Sequence, residues 1–403
     1  MTDTLKNAHA AFLRSAARMA LCAALCAVLC AALIVSGCGK DAESAGAENG
    51  GMPDETTGEA EDMFRITDDY VIIIPEGSKA DAKAANLLKK GLSEKGIDLK
   101  FIDDSYGVNK HEIILGSAAR DDAKKTKIDP SGGVMPGGWE ITLSDSGNLV
   151  VSGDTYAAAQ WLLDSCVGDD GFLVSEDLCE SYTPDWELVF EDDFDGDELD
   201  ETKWRRCPEW DRSDMGGRWD DGMIFLDGNG HLVDRADIVD GVPLTGAVRT
   251  CDTFMSTYGY YEICCTLHHA KGMWGAFWMM LGPNVGAGDG AEADIFESLY
   301  NEGNIYFTLH YDGYGDRHKS VSAVKRLPDA FDGSFHRFGL LWTKEGYRWY
   351  MDGEQVFSTD VAPVSQPGYM KISTECGSWG GKLDESELPS DMLVDWVRVW
   401  QMR

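Results

Sequence analysis

From Trp186 to Arg403 the chain shows no long helical pattern. Short runs such as Gly259–Leu267 (GYYEICCTL), Asn304–His310 and Tyr347–Met351 alternate apolar and polar residues, with Asp-Gly, Gly-Gly and Pro-Gly turns between them. A period of two, interrupted by residues that accept turn geometry, marks strands. Met351-Asp352-Gly353-Glu354, lying between Tyr350 and Val356, predicts a tight hairpin. Strands without helices to cover them must cover one another. That leaves an all-β sandwich or barrel, and 218 residues fit one such domain.

The residues before it follow a different grammar. Tyr70–Pro75 (YVIIIP) predicts a buried strand, and Ala80, Ala84, Leu87, Leu88 and Leu92 fall at helical spacing across 79–95. Further strands are expected at 99–102, 112–116, 139–143 and 148–152, with a last helix across Tyr156–Leu163. Residues 63–184 thus form a small α/β domain ahead of the all-β domain at 185–403. The α/β segment has neither a nucleotide fingerprint nor a cluster of catalytic residue types, which suits a spacer or accessory domain.

Lys6, Arg14 and Arg18 precede an apolar run from Met19 to Val35, which ends in Val35-Ser36-Gly37-Cys38. A positive start, an apolar middle and small residues at the end make 1–37 a secretory signal. Its ending resembles a bacterial lipobox, so Cys38 is expected to take a lipid and begin the mature chain. Residues 38–62, rich in Gly, Ala and acids, are a solvated tether. The expected location is extracytoplasmic, on the bacterial cell surface, with the lipid as the only membrane contact. Seven cysteines then remain, an odd and scattered set with no Cys-x-x-Cys pair and no disulfide framework. Cys166 and Cys179 are the only two with a plausible short loop between them.

Of the 403 residues, 35 are Lys or Arg and 70 are Asp or Glu, a formal charge of −35. Phosphate backbones require clustered cations, so nucleic acid is excluded as the main partner. The same excess leans toward a neutral substrate and mildly against a highly sulfated one.

The segment that points to chemistry is Glu292-Ala293-Asp294-Ile295-Phe296-Glu297. In a strand, Glu292 and Asp294 share a face, whereas Glu297 falls on the other. One extra residue, a β-bulge near Ile295–Phe296, brings all three carboxylates to one side. Carboxylates held together cannot all ionise freely, so their pKa values split. Glycoside hydrolysis needs that split, with one carboxylate as nucleophile and one carboxylic acid as proton donor. Upstream, Gly272–Met280 (GMWGAFWMM) sets Trp274 and Trp278 four apart on one strand face. An aromatic face beside acids is suited to gripping the C–H patches of a sugar.

E-x-D-x-x-E preceded by G-x-W-x-A-F-W resembles glycoside hydrolase family 16, the laminarinase-like endo-hydrolases. Phe190–Gly196 with Lys203-Trp204, Thr245–Phe254 leading into Tyr258–Glu262, Phe335 through Trp342, Trp349–Gly353 and Asp395–Trp400 resemble other segments of that family in the same order. The resemblance covers 186–403 and none of 1–185. It implies a concanavalin-like β-jelly-roll and a retaining endo-β-glycosidase acting on β-1,3 or mixed β-1,3/1,4 glucan. Glu292 would be the nucleophile and Glu297 the acid/base, with Asp294 tuning their protonation. Ala293 stands where relatives often carry a larger aliphatic residue, on the side away from the cleft.

The same resemblance implies substrate contacts at Trp274, Trp278, His310, Trp379 and Arg249. A structural calcium, not needed for the reaction, would sit at Asp193 and Asp395. No cofactor is required, the partner is a polysaccharide, and a monomer is expected. An algal galactan hydrolase (agarase-, porphyranase- or carrageenase-like) and a transglycosylase remain open on the same strand. So does a non-enzymatic surface glycan-binding protein.

Overall fold

Seven strands form one sheet of a β-sandwich, in the order Arg205–Arg206, Ala247–Arg249, Gly368–Cys376, Met273–Leu281, Ala291–Leu299, Asn304–Tyr311 and Lys319–Arg326. A second sheet of eleven strands packs against it, built around Gly259–Cys265, His336–Thr343 and the long Ser390–Met402. This computed structural model describes residues 63–403 apart from 124–126, 131–134, 208–210, 213–216, 283–289 and 301. The leader, Cys38 and the tether lie outside the described residues. No described helix is long and apolar enough to cross a membrane.

The sandwich is held by the inward half of each alternation. Phe277, Met279 and Leu281 from one strand meet Ala291, Ala293, Ile295 and Phe296 from the next. Across the gap lie Tyr261, Ile263, Phe338, Leu340, Trp349, Val397 and Val399, all removed from solvent. The fold is a jelly-roll sandwich, as the strand grammar and the family resemblance implied. At Asp352 and Gly353 φ is 48° and 80°, so the expected hairpin turns with both central residues left-handed.

The α/β segment contains the predicted strands and helices with ends shifted by a residue or a few. Lys100–Asp103, Val71–Ile74, Glu112–Leu115 and Leu149–Gly153 run parallel; Trp139–Leu143 and Cys179–Tyr182 extend the sheet antiparallel. Helices Lys79–Ser93 and Thr155–Cys166 cover one face, where Ile72, Ile113 and Val151 meet Leu88, Leu92 and Leu162. A separate three-stranded sheet, Met63–Ile66 with Gly171–Ser175 and Val167–Gly168, was not foreseen. Its strands are too short to show a period. All seven described cysteines, including Cys166 and Cys179, are free.

The outward face of the eleven-stranded sheet is covered by part of this α/β segment. Ile128 and Met135 pack with Tyr260, Leu341, Tyr350 and Trp400. Arg337 pairs with Asp129 at 2.8 Å, and Arg348 with Asp154, the N-cap of the second helix. The outward face of the seven-stranded sheet carries the polar residues described next.

Candidate active site

Residues paired across strands form rows that cross the seven-stranded sheet. One row runs Tyr369, Met280, Glu292, His310, Ser320. The next runs Arg205, Arg249, Lys371, Trp278, Asp294, Thr308, Ser322. A third runs Ala247, Ser373, Ala276, Glu297, Tyr306, Val324. These rows share the outward face because the strand Ala291–Leu299 bulges. Its register with Asn304–Tyr311 slips between Asp294 and Glu297, and the slip sends both Ile295 and Phe296 into the core. Without it Glu297 would point inward with Ile295. The carbonyl of Asp294 accepts a 2.8 Å hydrogen bond from the Trp349 indole, so the opposite sheet holds the bulge.

The three carboxylates differ in surroundings. Burial, then the charges of Asp294 and Glu292, pushes the Glu297 carboxyl well above the usual carboxylate range, while His310 opposes the shift. Burial, then Glu292, likewise pushes Asp294 well up. Glu292 is half-buried and accepts a 2.5 Å hydrogen bond from the Tyr314 hydroxyl. His310 Nε2 lies 3.3 Å from Asp294 Oδ2 but is not aligned as a hydrogen bond, so that oxygen has no hydrogen-bond partner among the described residues. His310 Nδ1 meets His318 Nε2 at 2.8 Å, and the two rings stack.

The expected sugar contacts fall into two groups. His310 faces the carboxylates. Trp379 is 39% exposed on a 3₁₀ turn, beside Tyr306. Trp274, expected as a sugar contact, is 4% exposed and packs edge-to-face with Trp379 at 5.0 Å. Trp379 is therefore the open ring and Trp274 its support. Trp278 lies in the central row, its Nε1 donating to Ser373 Oγ at 3.0 Å. Its ring face is taken by the Lys371 ammonium, 3.8 Å from the centroid. Arg249 reaches the same face three strands from Asp294, its Nε buried without a hydrogen-bond partner among the described residues.

Asp193 and Asp395, the acids expected at a calcium, belong to no three-ligand group among the described residues. Arg398 already balances Asp193 at 2.8 Å and Glu191 at 2.7 Å. Among the described residues, Glu292, Asp294 and His310 are the one group of ligating side chains close enough to share an ion, within 4.8 Å. Tyr314 already occupies a lone pair of Glu292 there.

Sequence reasoning missed Tyr314, His318 and Lys371. Tyr314 and His318 sit in an Asp- and Gly-rich turn that has no period to place them. Lys371 has a strand position but lies in a run, Tyr369–Ser373, that gives no sign of which neighbour it meets.

Residues 234–398 match the family model for glycosyl hydrolases family 16. A keratan-sulfate endo-1,4-beta-galactosidase from Sphingobacterium multivorum is 28% identical over 248 residues, covering 55% of this chain and 56% of that protein. A beta-glucanase from Rhodothermus marinus is 27% identical over 264 residues, covering 54% of this chain and 86% of that protein. The solved laminarinase from Flavobacterium sp. UMI-01 is 27% identical, with a TM-score of 0.48 over 53% of this chain and 100% of that one. The chain thus spans little more than half the length of the galactosidase it resembles.

Proposed function

We propose that this chain, which carries a glycoside hydrolase family 16 domain at residues 234–398, is a retaining endo-β-glycosidase acting on a β-glucan. The observation that supports this reading most is the bulged strand. It gathers three carboxylates on one outward face and leaves them in unequal surroundings. Glu292, steadied by Tyr314, attacks the anomeric carbon. Glu297, held protonated by its burial, gives its proton to the departing glycosidic oxygen. A covalent glycosyl-enzyme forms; Glu297 then takes a proton from water as the water oxygen attacks the anomeric carbon and the Glu292 carboxylate leaves, so the configuration is retained. Asp294 lies between them, its proton available to hold Glu292 in line.

The β-glucanase and laminarinase relatives favour β-1,3 or mixed-linkage glucan. The keratan-sulfate galactosidase keeps a galactan backbone as the second reading. A product assay on laminarin, mixed-linkage glucan, agarose and porphyran decides between them. Cleavage of agarose or porphyran without laminarin rejects the glucan. Accumulation of longer oligosaccharides would point to transglycosylation. Loss of the β-anomer from early products, followed by NMR, would reject the retaining mechanism.

The signal at 1–37, Cys38 and the tether support lipid anchoring on the outer side of a bacterial membrane. Cys38→Ala is expected to release the protein from membranes, and unchanged membrane association would reject the anchor.

A further inference from the structure

The chain is strongly acidic, yet one end of the cleft row is cationic. Arg205, Arg249 and Lys371 occupy three consecutive positions of the row that leads to Asp294. Arg205 is exposed and turns to the Glu201 carbonyl. Lys371 is withdrawn from solvent, and Arg249 is half-buried. Lys371 is only 7% exposed, and no carboxylate among the described residues lies within ion-pair distance of it. Its ammonium sits between two indoles, 3.8 Å from the Trp278 ring centre and 5.0 Å from that of Trp219. Aromatic faces orient a cation and attract it without cancelling its charge. Arg249, directly across from Lys371, buries an Nε with no hydrogen-bond partner among the described residues.

Two adjacent cations, one buried and one half-buried, with no ion-pair partner among the described residues, favour an anion that completes them. The groups facing Lys371 do not supply one. Burial lowers its pKa, Arg249 lowers it further, and Cys207, Glu292 and Glu375 act in the opposite direction. Cys207 is a buried thiol whose own pKa is raised by burial, so it does not provide a thiolate. Glu292 and Glu375 attract the ammonium from farther off, but neither lies within ion-pair distance of it.

The position sets what an anion there would be. With strands about 4.8 Å apart, Lys371 and Arg249 lie roughly 10 and 14 Å along the row from Asp294. That is beyond the sugar being cleaved and within the length of a bound oligosaccharide. A planar guanidinium beside an ammonium suits an oxyanion with more than one acceptor oxygen.

We infer that Lys371 and Arg249 form a subsite for an anionic substituent, a sulfate ester or a uronic carboxylate, on a sugar ring removed from the scissile bond. This rests on the glycosidase reading for the direction of the chain in the cleft. It names the substrate class that the neutral-glucan preference omits.

Binding to the full chain carrying Glu297→Gln separates this inference from the catalytic one. The probes are laminarihexaose, the same sugar 6-O-sulfated, the same sugar oxidised to the 6-carboxylate, agarohexaose, and a porphyran hexasaccharide. Calorimetry is expected to show a charged probe binding about tenfold or more tightly than its neutral counterpart. The arm that gains most identifies sulfate or carboxylate, and the backbone comparison identifies glucan or galactan. Arg249→Met and Lys371→Met are each expected to reduce the charged-to-neutral ratio about tenfold, whatever they do to the neutral sugar. Equal or weaker binding of every charged probe overturns the subsite, as does a ratio unchanged in both variants. Hydrolysis by the unmodified chain is read separately, so its absence would reject the glycosidase reading alone.

Discussion

The two sheets of the sandwich meet solvent and neighbours in opposite ways. On the eleven-stranded sheet, Tyr260, Leu341, Tyr350 and Trp400 turn outward and are covered by Ile128 and Met135. On the seven-stranded sheet the outward rows hold carboxylates, an imidazole, an indole and three cations. Both faces contain a perturbed carboxyl. Burial pushes Glu262, on the first sheet, up to about 7, against the pull of Arg337 and the hydrogen bond from Tyr260. Perturbation therefore does not by itself mark a catalytic face. What separates the faces is convergence: Glu262 and its neighbour Asp129 are offset by Arg337 under a domain seam, whereas Asp294 and Glu297 are raised by neighbouring carboxylates.

The strongest test of that contrast is Glu297→Gln. If Glu297 is the proton donor, kcat/KM falls by about 10²–10⁴-fold in a reducing-sugar assay. Stability should move the other way. A carboxyl whose folded pKa lies above its unfolded value contributes stability below the unfolded pKa, and that contribution is lost as pH rises through the folded value. Glutamine does not titrate, so the variant is expected to melt higher than the parent at pH 8, with the advantage gone near pH 4. Full activity in this variant would break the assignment.

Trp349→Phe tests how far the opposite sheet holds the site. It removes the donor to the buried Asp294 carbonyl at a cost of about 1–3 kcal/mol in urea unfolding. It is also expected to lower kcat more than it raises KM, because the bulge positions the reacting groups. A loss of stability with kcat unchanged would show that the bulge stands without that bond.

The seam should behave as structure only. Gly353 turns at φ 80°, and a Cβ there would meet the Ile128 carbonyl at 2.3 Å. Gly353→Ala is expected to cost roughly 1–2 kcal/mol for the left-handed turn, with kcat intact. A fall in kcat would mean that the seam and the cleft are coupled. The smallest effect on activity is reserved for Glu262→Gln, which leaves kcat unchanged. By the same sign as Glu297, its stabilisation, at most about 3 kcal/mol, builds from near pH 4.5 to about pH 7 and is gone toward pH 4. Thermal melts across that range read it, and a gain present at low pH would reject the cause.

Much of this was legible before any coordinates. The period of two announced strands from Trp186 onward, and Asp352-Gly353 announced its hairpin. Five-residue spacing between Glu292 and Glu297 demanded a bulge, because a strand puts alternate residues on opposite faces. Trp274 was the instructive miss. A strand position gives the face of a ring but not what stands over it, and Trp379, which comes from a turn 105 residues later, stands over this one.

The sequence alone determined the quantities that depend on neighbours along the chain: strand period, turn chemistry, and which carboxylates can share a face. The tertiary structure decided what depends on groups distant in sequence. It set Tyr314 on Glu292, Trp349 on the Asp294 carbonyl, and Lys371 between Trp219 and Trp278 beside Arg249. The net charge of −35 was a sum over the whole chain, and it suggested a neutral substrate. Salt screens exposed charges beyond about 8–10 Å while charges held in a cleft act at greater strength, so the charge a substrate meets there is set by which side chains the sheet brings into one row.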